Sequence, residues 1–451
     1  MNINELLSEI VSLVWGTPLL IFLLVANLIL LFFSKLIPIR GLGHAISLVS
    51  GKHSTGEAEG QITHFQALSN ALAATIGLGN IAGVAVAIYQ GGPGAVFWMW
   101  ISALLGMNTK FFECTLSVMF RGKDYQGEVQ GGPMYYIENG MGKSYKFFAF
   151  LFALFGLVGT LALFQINQLA SFLETSYSVD TTITGMLFAV LTVYILLGGL
   201  KRISSVTSKV VPLMSVLYVI LCLVILAVNS EKVFPMFISI FESAFGFGQV
   251  AGGISGYALM HVIQTGVKRA AFSNEAGIGT APMAHGNAKT NEPISEGYVA
   301  MLGPLIDTII VCTLTALAIL VGIESVNMNT IELNGINLTA FAFTKSLGEF
   351  GKHSLGIVIF LFSFSTMIGM ANYNKKCWDY LFKGRWNLGD KTFILFYGLS
   401  IGIGAVIKMS AVVNIIDICY ALMAIPNIVA TVFLAGKVKT ALAKYNTKFK
   451  I

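Results

Sequence analysis

Two stretches decide how this chain folds: Ala73-Ala74-Thr75-Ile76-Gly77-Leu78-Gly79-Asn80-Ile81-Ala82-Gly83 and Phe272-Ser273-Asn274-Glu275-Ala276-Gly277-Ile278-Gly279-Thr280-Ala281-Pro282. Each interrupts apolar sequence with Gly-apolar-Gly and polar neighbours. In hydrocarbon an unpaired backbone N–H or C=O is costly, so such a break persists only where protein buries it or where it lines a cavity. Gly77 and Gly79 lie 200 residues before Gly277 and Gly279. Five apolar spans follow the start of each stretch, and because five is odd the second set enters from the opposite side, as in an inverted repeat. Glycines in membrane helices mostly serve packing. Breaks at matching positions of two halves instead point to a transporter's binding site.

The surrounding composition fits a lipid solvent. Of 451 residues, 55% are hydrophobic and 11% charged, against about 25% charged in a soluble domain. A mean hydropathy of +0.77, with 33 Phe and 47 Gly, suits apolar helices packed through small residues. The net charge of +6 is dispersed in short clusters between apolar runs, so no nucleic-acid partner is expected. Cys114, Cys222, Cys312, Cys377 and Cys419 are scattered and read as small core residues. The first apolar run, Thr17 to Ser34, follows Glu5 and Glu9 without a basic residue, which favours a retained helix over a secretory signal.

At about 20 residues per crossing, spans are expected near 17-34, 66-90, 94-120, 147-173, 182-199, 210-229, within 245-285, and at 298-322, 354-373, 392-408 and 411-435. The fold class is therefore all-α: a polytopic membrane protein of about eleven helices, one extra N-terminal helix plus a 5+5 inverted repeat with two broken helices. The expected division is 1-65 for the extra helix and a cytoplasmic loop, 66-234 and 235-435 for the repeats, and 436-451 for a basic tail. Loops on one side hold 21 of the 28 Lys and Arg, and the alternate loops hold Lys232, Lys345, Lys352 and Lys408. The positive-inside rule then puts the N-terminus outside and the C-terminus in the cytoplasm, in a plasma-membrane protein. Lys110, Lys268 and Arg269 fit neither side.

An unwound glycine pair leaves N–H groups at the start of one half-helix, which favour an anion, and carbonyls at the end of the other, which suit a cation or an ammonium. A zwitterion matches both. Glycine also lets a ligand approach the main chain closely. Gly77, Gly79 and Gly277 are expected to present main chain, and Thr75, Asn274 and Gln168 side chains. Phe272 is expected to cap the site, with Ser273, Ala276 and Gly279 completing it. Gln168 belongs to the polar cluster Phe164-Gln165-Ile166-Asn167-Gln168, where interhelical bonding competes with a ligand role. Glu113, Glu275, Asp307 and Asp417 lie in or near spans; structural pairing is favoured for each, with loop ordering or a proton role for Glu275 and a proton relay for Asp307 as alternatives. His261 and His285 lack metal-ligand spacing, so no transition-metal site is expected. Walker sequences, nucleophile elbows and paired catalytic acids are missing from the loops, which argues against an enzyme.

The run Gly91-Gly92-Pro93-Gly94-Ala95-Val96-Phe97-Trp98-Met99-Trp100-Ile101-Ser102-Ala103-Leu104-Leu105-Gly106 resembles the signature of the alanine or glycine:cation symporter family, the sodium:alanine symporters. Ser273-Asn274-Glu275-Ala276-Gly277 is similar to that family's second hallmark, and the resemblance covers nearly the whole chain. It implies a leucine-transporter-like fold, alternating access and sodium-driven uptake of alanine or glycine. Gly77-Leu78-Gly79-Asn80 is similar to the broken first core helix of that fold. By the same resemblance, the sodium ligands are the Ala73 and Ile76 carbonyls and the Ser365 and Thr366 hydroxyls, oxygens that suit a hard cation. The fold's second sodium site is not evident, so one ion is expected. The second break has an alternative position at Gly252-Gly253-Ile254-Ser255-Gly256. The sequence thus reads as a sodium-coupled symporter of a small neutral amino acid, with no organic cofactor and a monomer as working unit. A proton-coupled carrier using Glu275 or Asp307 is the first rival and a channel the second.

Overall fold

The computed structural model describes residues 3–52, 58–246, 256–324, 335–382 and 388–449, nearly all helical. Among these the only sheet is the small hairpin of Gly122–Lys123 with Val129–Gln130. Helix α1 (Ile3–Val14) leads into the apolar α2 (Thr17–Ser34). Helix α3 (His64–Thr75) begins at a capping box: the Thr63 hydroxyl accepts from the Gln66 N–H, while the Gln66 side chain accepts from the Thr63 N–H. The chain then breaks, makes a wide turn over Gly79–Gly83 and resumes as α4 (Val84–Gly91), bent 51° from α3.

Helix α5 (Gly94–Met119) follows, and then α6 (Lys146–Gly159), α7 (Leu163–Tyr177), α8 (Thr181–Leu196) and α9 (Gly199–Val228). The second half runs through α10 (Ser230–Phe245), α11 (Gly256–Asn274), the short α12 (Ala281–His285), α13 (Pro293–Ala300) and α14 (Thr313–Ile323). It finishes with α15 (Ile336–Phe382), which kinks at Gly348, α16 (Asp390–Val406) and α17 (Met409–Phe449).

Among the described residues six helical stretches are long and apolar enough to cross a membrane, and the bent pair of α3 and α4 makes a seventh. Helices α5, α8, α11 and α16 occupy the other expected positions but are shorter or more polar. Their polarity faces inward: Asn108, Lys110 and Glu113 of α5 are buried. Outward, Ile183, Met186, Val190 and Tyr194 form an exposed apolar stripe on α8, as a lipid-facing helix requires.

Two helices were not expected from the sequence. Helix α1 packs on α17 and carries its connection into α2 through Trp15, whose indole N–H donates to the Asp417 carbonyl at 2.8 Å. Helix α10 lays Phe237, Phe241 and Phe245 against Phe97, Trp98 and Trp100 of α5. The expected division at 234/235 therefore falls inside a continuous helix. Most of the alternative break, residues 252–255, lies outside the described residues.

The two broken helices run antiparallel. A Cβ on Gly79 would lie 3.6 Å from Phe272 and Ser273, while one on Gly91 would lie 3.1 Å from Thr265, so α4 advances as α11 retreats. On its other side the first break meets α15. A Cβ on Gly369 would come within 2.8 Å of the Ala74 nitrogen, so only glycine lets the two backbones pack this closely.

Candidate substrate and cation site

The first break is built by Asn80. Its side-chain oxygen accepts the Gly77 N–H at 2.9 Å. In an unbroken helix that N–H would bond to the Ala73 carbonyl. The Asn80 N–H itself turns to the Gly77 carbonyl at 3.1 Å instead of that of Ile76. The Asn80 side chain and the Asn80 main-chain N–H thereby draw donors away from Ala73 and Ile76, the two carbonyls the family resemblance marks as cation ligands. Ile76 is extended, with ψ 93, and the wall behind it is Thr366 of α15. The Thr366 hydroxyl is fully buried, has no hydrogen-bond partner among the described residues and occupies the place a Cβ on Gly77 would take. A buried hydroxyl left unpaired is costly unless it serves a ligand. Ser363, one turn earlier, is also buried and has no hydrogen-bond partner among the described residues. Ser365 lies differently: its hydroxyl donates to the Phe362 carbonyl at 3.0 Å and faces Met214 of α9.

The second break is held from several directions. Gly277 and Gly279 have φ of +82 and +94, a region that side chains disfavour. The Gly277 carbonyl accepts from Asn427 Nδ2 at 2.7 Å, and the same nitrogen donates to Glu113 at 2.9 Å. Glu275 accepts from Tyr420 at 3.0 Å and from Thr280 at 2.5 Å, which orders the loop. Asn274 is occupied at both ends: its oxygen accepts the Ala276 N–H at 3.0 Å, and its nitrogen donates to Thr308 at 2.9 Å.

A polar cluster joins the breaks. Asn80 Nδ2 donates to Asp307 Oδ1 at 2.6 Å, and the Ser273 and Thr308 hydroxyls each donate to Asp307 Oδ2 at 2.7 Å. All four side chains are buried. Asn80 and its convergence with Ser273 on Asp307 were not singled out in the sequence. Asp307 sits on a wide-turn segment, Leu305–Cys312, that widens the helix just before α14.

Between the breaks, Ala74, Thr75, Gly79, Gln165, Phe272 and Tyr420 line a cavity of only about 10 Å³, roughly the room of one water. Phe272 covers it, edge-on to Phe164 at 4.9 Å and 6.0 Å from the Tyr420 ring. Of the expected substrate residues Thr75, Gly79 and Phe272 meet here. Gln168 lies one turn farther along α7, where its oxygen accepts the Ile336 N–H at 3.0 Å and its nitrogen donates to Asn167 at 3.3 Å. Gln165, which the sequence did not single out, occupies the position facing the cavity. A wider hollow of about 470 Å³ is lined by Asn287, Asn372, Lys376 and Asp390, among others. Asn372 is six residues beyond Thr366 on α15, about 9 Å along a helix.

Comparison with known proteins bears on the family and the fold. The family model described as the sodium:alanine symporter family matches residues 1–451. The sodium/alanine symporter AgcS of Methanococcus maripaludis is 39% identical over 455 residues, covering 99% of this chain and 98% of that protein. A transporter of Haemophilus influenzae is 40% identical, covering 100% and 98%. Among solved structures, MhsT in complex with L-phenylalanine superimposes with a TM-score of 0.58 at 14% identity, over 83% of this chain and 89% of that one.

Proposed function

This chain belongs to the sodium:alanine symporter family, and from that premise we propose where its cargo and its ion are held. It is a multi-pass membrane transporter of leucine-transporter-like fold, not an enzyme, and it couples amino-acid movement to sodium. The proposed cargo is a small neutral amino acid, alanine or glycine. Its site lies between the breaks, with Thr75, Gln165 and the main chain of Gly77, Gly79 and Gly277 as contacts and Phe272 as cover. Gln168, Ser273, Asn274, Ala276 and Gly279 support that site from behind. One sodium is assigned to the Ala73 and Ile76 carbonyls and the Thr366 hydroxyl, with Ser365 joining by rotation of its side chain.

The observation that carries this reading is the double diversion by Asn80, which releases two carbonyls opposite an unpaired hydroxyl. Both ligands then meet the same unwound turn, so each organises the main chain the other needs, and their affinities rise together. The proposed orientation has the N-terminus outside and the hollow lined by Asn372 and Lys376 on the cytoplasmic side, as the release path. A monomer is the proposed unit.

The test is uptake of labelled alanine into proteoliposomes carrying the purified protein. An inward sodium gradient is expected to drive accumulation that a proton gradient does not. Accumulation under the proton gradient alone would move the coupling role to Asp307 or Glu275.

A further inference from the structure

Helix α15 connects the small cavity to the wide hollow: Met370 lines the first, and Ala371, Asn372 and Lys376 line the second. Lys376 is 4% exposed, and its ammonium donates to Gln130 Oε1 at 2.5 Å and to Asn287 Oδ1 at 2.9 Å. Both partners are neutral amides. Gln130 is held in that pose by its own nitrogen, which donates to Asp124 at 2.7 Å. Among the described residues Lys376 forms no ion pair, because the adjacent Lys375 takes the nearby acids, at 2.5 Å from Asp379 and 3.0 Å from Asp390. A buried charge without a counter-charge is costly. An ammonium also has three hydrogens, so one donor remains for a ligand. Asn372 stands one turn earlier on the same face of the helix. Its Nδ2 is buried with no hydrogen-bond partner among the described residues, although buried amide donors are seldom left unpaired. One charged and one neutral donor therefore border a hollow of about 470 Å³, within the size range of small-ligand sites.

We infer that Asn372 and Lys376 form an exit subsite, which takes the carboxylate of the amino acid once it has left the two breaks. The inference rests on the cargo and the release path proposed above. A carboxylate supplies the missing counter-charge and has an acceptor for each donor, the charged one giving the stronger bond. Lys376 is six residues beyond Met370, about 9 Å along the helix. That is longer than an alanine, so the two places are filled in turn and not together. The same ammonium repels sodium, so the subsite retains the amino acid and not the ion. A purely structural lysine would need only its two amide partners. Such a role leaves the unpaired nitrogen of Asn372 unexplained.

The experiment follows labelled alanine in both directions across right-side-out membrane vesicles with equal sodium on the two faces. Uptake is measured against external alanine and efflux against internal alanine, for the parent, Lys376→Gln, Lys376→Arg and Asn372→Leu. Lys376→Gln is expected to raise the efflux KM about tenfold or more, while its uptake KM stays within about twofold of the parent. Lys376→Arg keeps the charge and is expected to stay closer to the parent. Asn372→Leu removes an amide whose nitrogen bonds nothing, so it is expected to insert normally and to raise the efflux KM about threefold. If Lys376→Gln does not insert, Asn372→Leu decides: a rise in the efflux KM alone supports the subsite, and an unchanged value overturns it. Equal rises at both faces would overturn it by making the lysine structural, and a rise in the uptake KM alone would overturn it by placing the hollow outside. If the parent moves alanine and the variants match it, the exit subsite alone fails. If the parent moves no alanine in either direction, the cargo reading fails and the exit subsite with it.

Discussion

Replacing Gly77 with alanine is expected to reduce sodium-driven uptake by about 100-fold or more, equivalent to about 2.7 kcal/mol, in a protein that still inserts. The added methyl would land on the Thr366 hydroxyl, closer than any real Cβ contact. Gly77 is not among the residues with positive φ, so alanine fits its backbone and the damage is confined to what the methyl displaces. Thr366 is β-branched and lies within a helix, where its side chain has few alternatives. The hydroxyl must turn away from the Ala73 and Ile76 carbonyls, and the cation loses a ligand. Gly79 offers the control. A methyl there would meet Phe272 and Ser273 at 3.6 Å, an ordinary contact, so Gly79→Ala is expected to be much milder and only a larger residue to block the site. Uptake rates across a sodium titration check both. Unchanged sodium dependence in Gly77→Ala would remove Thr366 from the ion site.

Replacing Asp307 with alanine is expected to lower uptake by a similar factor and to destabilise the protein as well. Its carboxylate accepts from Asn80, Ser273 and Thr308, and all three donors are buried. An unsatisfied buried donor costs about 1–3 kcal/mol, so the substitution leaves several such penalties where the two broken segments meet. Asn80 would then be free to turn, and the diversion that exposes the Ala73 and Ile76 carbonyls would weaken. Asp307→Asn keeps the volume but turns amide hydrogens toward other donors, so an intermediate loss of about tenfold is expected. Melting temperature and sodium-driven uptake measure the two effects. Sodium remains the driving ion in Asp307→Asn if the carboxylate positions the breaks; loss of all gradient-driven uptake with intact exchange would assign it the coupling proton.

The sequence showed the breaks clearly because they are local. Gly77, Gly79, Gly277 and Gly279 interrupt apolar helices at matching places in the two halves, a pattern that is visible without knowing their partners. It did not show what holds them open, because the partners are remote: Asn80 meets Ser273 and Asp307 across 193 and 227 residues. Gln165 and Gln168 differ by one helical turn on nearly the same face of α7. What packs against α7 separates them: Gln165 lines the cavity while Gln168 accepts the Ile336 N–H, and periodicity does not reveal those neighbours. Lys268 and Arg269 were legible as misplaced charge, but their partner Asp417 lies on a helix whose packing against α11 no local pattern encodes. Helices α1 and α10 went unread because an amphipathic helix lying against a bundle is neither apolar enough for a span nor polar enough for a loop. The four acids expected to be structurally paired each have a polar or charged partner, and for Asp307 those partners belong to the proposed site itself.

The most direct measurement is the alanine affinity of the purified wild-type protein with sodium and with choline in its place, at constant pH and ionic strength. If Asn80 shapes one unwound turn for both ligands, sodium tightens alanine binding by about tenfold or more, and alanine tightens sodium binding by the same factor. Equal alanine affinity in sodium and in choline would contradict the coupling of the two sites.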